Sequence, residues 1–153
     1  MEEERPGTFE VALAALRRKE RTSAELDAWL RQRGHGTDEV EAAISGLTEV
    51  GELDDERFAR RYAEDKRELR GWGPERIRDA LASRGLAPAL IDAALGTESR
   101  AAVVERASEL LVRRGRPLAS DAERARALGF LTRRGYDYEA AYEAMRMATR
   151  RAA

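Results

Sequence analysis

The chain has 153 residues with 28 lysines and arginines against 29 aspartates and glutamates, a net charge of −1 that argues against a uniformly basic nucleic-acid binder. Charged residues make up 37% and aromatics 6%, so any core must be thin and aliphatic, and the absence of cysteine excludes disulfides and thiolate metal sites. No apolar run approaches the length of a membrane-spanning helix.

The first seven residues, Met1-Glu-Glu-Glu-Arg-Pro-Gly7, are acidic and lack the apolar stretch of a signal peptide. They read as a disordered tail, and a cytoplasmic location is expected. Helical periodicity and its punctuation then predict helices at 8–19, 23–33 and 38–50, at 55–70, 74–84 and 88–95, and at 99–114, 121–134 and 138–151. Thr22-x-x-Glu25 and Ser120-x-x-Glu123 are capping boxes, in which a hydroxyl and a carboxylate each satisfy an orphan N–H of a helix start. Pro74 and Pro88 suit the first helical position. Gly34, Gly85 and Gly135 suit the left-handed residue that closes a helix. No segment alternates with the period of a strand.

These helices form an internal repeat. Trp29-Leu30-x-x-Arg33-Gly34, Ala80-Leu81-x-x-Arg84-Gly85 and Phe130-Leu131-x-x-Arg134-Gly135 recur at fixed spacing. Six residues after each glycine stand Val40, Ile91 and Ala141; nine after, Ala43, Ala94 and Ala144; ten after, Ile44, Leu95 and Met145. The expected fold is all-α: an elongated tandem array of three three-helix repeats at 8–52, 53–97 and 98–153. Units this small must lean on their neighbours.

Charge is polarised along the array. His35 to Glu56 holds eight carboxylates and no lysine or arginine, whereas Arg100 to Arg134 holds nine arginines and four carboxylates. Between these regions lies the densest stretch. Asp54 is placed to cap the helix at Asp55, with Leu53 and Phe58 at hydrophobic-staple positions. Along that helix Phe58, Tyr62 and Leu69 share one face, and Arg57, Arg60, Arg61 and Arg67 take the other. That arc reads either as a solvated face with pairs such as Arg60–Glu64 or as a surface for an acidic partner. Trp72, between two glycines, reads as a plug between units or as an exposed anchor. His35 is expected in solvent, and Tyr136, Tyr138 and Tyr142 against the last helix. No nucleophile elbow, phosphate loop or metal motif occurs, so no enzyme, metal or cofactor is expected.

Leu53-Asp-Asp-Glu-Arg-Phe-Ala-Arg-Arg-Tyr62, followed by Gly73-Pro-x-x-Ile77 and Leu81-x-x-Arg-Gly85, closely resembles the signature of RecX, the bacterial regulator of the recombinase RecA. The resemblance implies tandem three-helix repeats that bind the RecA nucleoprotein filament, limit its extension, and suppress strand exchange and ATPase activity in recombination, DNA repair and the SOS response. It also implies some contact with single- or double-stranded DNA. A monomer is expected. Candidate partner-binding residues are Arg57, Arg60, Arg61, Arg67, Trp72 and Arg76 centrally, and Arg113, Arg114, Arg116, Arg124 and Arg126 towards the C-terminus. The rival reading is a direct DNA-binding helical-repeat protein.

Overall fold

A computed structural model describes residues 5–152; of the tail expected at 1–7, residues 1–4 lie outside the described residues. Nine helices occur among the described residues, and no strand. The first unit comprises α1 (Thr8–Arg18), α2 (Ser23–Gln32) and α3 (Thr37–Glu49). The second comprises α4 (Asp55–Arg70), α5 (Pro74–Ser83) and α6 (Pro88–Leu95), and the third α7 (Arg100–Arg114), α8 (Asp121–Arg133) and α9 (Tyr138–Ala152). Both capping boxes form in full. Asp54 accepts from the Arg57 N–H to start α4. Gly34, Gly85 and Gly135 all adopt positive φ after their helices.

Each unit buries its own small core. Leu26, Leu30, Val40 and Leu47 fill the first, Phe58, Ile77, Leu81 and Ile91 the second, and Val104, Leu111, Leu131 and Tyr136 the third. Leu53 sits in the first core instead of stapling onto Phe58 in the second. Leu69 departs further from its expected face: it is 77% exposed. The sixteen-residue α4 outruns its ten- and eight-residue companions, so its last turn has no unit core to cover. In α9 the buried face is built from Ala140, Ala141, Ala144, Met145 and Ala148, which leaves Tyr138 and Tyr142 exposed. The accessible surface is 9635 Å², against about 7,800 Å² for a compact monomer of this size. The molecule is elongated.

The units join through their middle helices, set head to tail. The C-terminal end of α8 meets the start of α5: the Gly73 N–H donates to the Arg134 carbonyl at 2.7 Å and the Glu75 N–H to the Gly135 carbonyl at 2.9 Å. These are the groups that helix ends leave unpaired, here paired across two units. A Cβ on Gly73 would stand 2.5 Å from the Gly135 carbonyl oxygen, and one on Gly135, whose φ is +96°, would run into the Arg76 backbone. Only glycine permits this approach. At the other junction α5 meets α2. The Thr22 hydroxyl donates to the Arg84 carbonyl at 2.8 Å, Arg84 forks onto the Glu25 carboxylate at 2.9 and 3.2 Å, and the Ser23 N–H donates to Asp55.

Candidate partner-binding surface

The second junction in chain order, between the second and third units, is also held by a buried charge cluster. Glu98 accepts both terminal nitrogens of Arg106, at 2.6 and 2.9 Å, and lies 3.1 Å from Arg67 Nε. Arg106 Nε is shared between the Trp72 carbonyl and the Tyr136 hydroxyl, and that hydroxyl donates to the Gly71 carbonyl at 2.8 Å. Burial pushes the Tyr136 phenol up, against the pull of Arg106. Burial also disfavours the Arg106 cation, but its bonds to Glu98 and Tyr136 outweigh this and hold its pKa above the ordinary value. At Arg67 burial wins, and the pKa falls despite Glu98.

This cluster corrects one expectation. Arg67, taken as a surface contact, has a side chain only 9% exposed, and its guanidinium bonds Thr97, Ala94 and Leu95. It braces α4 against the 95–98 turn and is not presented to a partner. Two others are partly committed. Arg57 donates to the Gly51 carbonyl, and Arg124 turns its terminal nitrogens onto the Leu118 and Ala119 carbonyls and Asp121. His35 is half-buried, with Nδ1 2.8 Å from the Thr8 hydroxyl, not in open solvent.

Of the other central residues, Arg60, Arg61 and Arg76 face outward. Arg60 and Arg61 are exposed, and neither has an ion-pair partner among the described residues, so the Arg60–Glu64 pair does not form. Trp72 is half-buried at the junction, its ring flanked by Lys66 Nζ at 4.9 Å and by the Arg76 guanidinium at 4.2 Å. Arg76 in turn reaches the Arg133 carbonyl at 3.5 Å.

That contact joins the two sequence patches into one band. The Phe130 ring lies between the guanidiniums of Arg114, at 4.9 Å, and Arg134, at 4.0 Å. Arg114 is held below its ordinary pKa by burial and then by the fields of Arg116, Arg126, Arg133 and Arg134. Such crowding of like charges is unfavourable in the isolated protein and is relieved by an anion. Arg113 stands beside this group with a 75% exposed side chain and only a distant Glu109, at 3.9 Å. Sequence reasoning missed Arg133, which it did not single out, and Arg134, which marks the repeat but was not assigned to the surface. Their neighbourhood with Arg76 arises only when α8 docks on α5.

A family model described as the second three-helix domain of RecX matches residues 54–95. The regulatory protein RecX of Mycolicibacterium vanbaalenii is 35% identical over 142 residues, spanning 87% of this chain and 77% of its relative. This chain belongs to the RecX family. Another member, from Pseudomonas fluorescens strain Pf-5, is 38% identical over 131 residues and covers 84% of this chain and 83% of its own. The crystal structure of RecX from Lactobacillus salivarius matches the fold with a TM-score of 0.84 at 20% identity, covering 93% of this chain and 94% of that one. Members of the family are regulatory proteins, and no helix among the described residues is long and apolar enough to cross a membrane.

Proposed function

We propose that this chain regulates a RecA recombinase by binding its nucleoprotein filament, limiting extension and suppressing strand exchange and ATPase activity. It acts by occupancy, as single copies in dilute solution. The observation that carries this reading is the cationic band from Trp72 and Arg76 across Arg133 and Arg134 to Arg114, Arg116 and Arg126. It crosses a unit boundary, so a rigid array offers a long polyanionic or acidic assembly several weak contacts at fixed spacing, which add through effective concentration. Family membership supplies the partner class. The paired reversal Arg76→Glu with Arg126→Glu is expected to remove inhibition of the DNA-dependent ATPase of RecA while the helical circular dichroism is unchanged. Undiminished inhibition by that variant would exclude the band.

A direct DNA-binding reading is favoured by one specific feature. Trp29 lies between Arg21 and Arg33, Trp72 between Lys66 and Arg76, and Phe130 between Arg114 and Arg134. Cations beside partly exposed rings suit phosphates and stacked bases. This reading requires steeply salt-dependent DNA binding without any recombinase.

A further inference from the structure

We infer that copies of this chain join end to end, the Arg33-Gly34 end of α2 in one copy seating on the Ser120–Glu123 turn of α8 in the next. Within the chain, the start of α2 receives the end of α5, and the start of α5 receives the end of α8. This contact is heterologous: its two sides differ, so each internal junction leaves a further pair of sides unused at the ends of the array. Those unused sides are the end of α2 and the start of α8.

They present the same contact groups as the first junction, between the first and second units: a capping hydroxyl, an alanine and a glutamate on one side and Arg-Gly on the other. There, Thr22-Ser-Ala24-Glu25 takes Arg84-Gly85: Thr22 bonds the Arg84 carbonyl, Ala24 faces Gly85, and Glu25 takes the Arg84 guanidinium. The start of α8 is Ser120-Asp-Ala122-Glu123, with the same capping box and with Ala122 exposed. The end of α2 is Arg33-Gly34, where Arg33 is exposed and a Cβ on Gly34 would meet nothing within 4 Å. Charge favours the same pairing. Asp38 and Glu39 stand in the first turn of α3 just beyond Gly34, while Arg114, Arg116 and Arg126 surround Glu123. Contact between ends thus brings an acidic face to a basic one. Both faces are polar and small, so the affinity is weak, with Kd on the order of 0.1–1 mM, and alignment of copies along a common support strengthens it.

The test is sedimentation velocity of the full chain, free of DNA and recombinase, across a concentration series in low salt. The weight-average sedimentation coefficient is expected to rise with concentration. Arg33→Glu and Glu123→Arg are each expected to weaken association about tenfold or more, as is Ala122→Gln, which blocks the seat without altering charge. An equimolar mixture of Arg33→Glu and Glu123→Arg restores it, because each copy then finds an opposite charge at both ends. The double variant Arg33→Glu/Glu49→Arg, which has the net charge of the wild type but keeps Glu123 in α8, does not. A wild-type chain that remains monomeric throughout, variants that associate like the wild type, or equal restoration by that double variant would overturn the inference. None of these outcomes depends on recombinase binding, so the regulatory reading stands or falls separately.

Discussion

Glu98 is a single carboxylate between two guanidiniums, and both of them lose their counter-charge if it is removed. Glu98→Ala is therefore expected to destabilise the protein by about 3–5 kcal/mol, the cost of leaving buried charge unpaired, read as a lower urea midpoint. Other carboxylates act more weakly and through pH. Hydrogen bonds from Arg100 hold Asp137 below its ordinary range, and Glu25, although burial opposes its ionisation, is held low by Arg84 and Thr22. Groups depressed in the folded state stabilise it fully above their unfolded pKa values, about 4, and that stability is lost as pH falls through the folded values. Both pairs are substantially exposed, so each contributes no more than about 1 kcal/mol. Thermal stability should be level above about pH 5 and decline below about pH 4, with a shallower decline in Glu25→Gln.

At the scale of helices, the middle helix of each unit carries the junctions. Gly135→Ala forces a left-handed backbone onto alanine and drives a methyl into Arg76. It is expected to cost more than about 2 kcal/mol and to raise amide exchange at Gly73 and Glu75, whose N–H groups bond across the junction. Thr22→Ala removes both a cap and the bond to Arg84, with an expected loss of about 1–2 kcal/mol in chemical denaturation. The helices themselves were legible in the sequence, because Thr22, Ser120, Pro74, Pro88 and the closing glycines are local signals whose physics is complete within a few residues. Leu69, Tyr138 and Tyr142 were misplaced because burial depends on where the opposing helix ends. Arg67 was misplaced, and Arg133 and Arg134 passed over, for a related reason. Periodicity assigns a side to each residue of a helix, but says nothing of which other unit lies on that side.

The whole molecule is three separate cores joined by narrow polar seams, and such an array need not unfold in one step. Trp29 reports on the first unit and Trp72 on the second junction. Denaturation followed by fluorescence in Trp72→Phe, which retains Trp29, and in Trp29→Phe, which retains Trp72, should give non-coincident transitions; superimposable curves would mean a single cooperative body. The seam between the second and third units also has a property that the cores lack. Its main-chain bonds, from the Gly73 and Glu75 amides to the Arg134 and Gly135 carbonyls, ask for glycine, and the side chains that reinforce them, Glu98, Arg106 and Tyr136, are withdrawn from the surface. The pitch of the molecule is thereby written into main-chain and buried atoms, leaving its outer guanidiniums at liberty to be redrawn to suit a changing target without moving the ruler on which they are mounted.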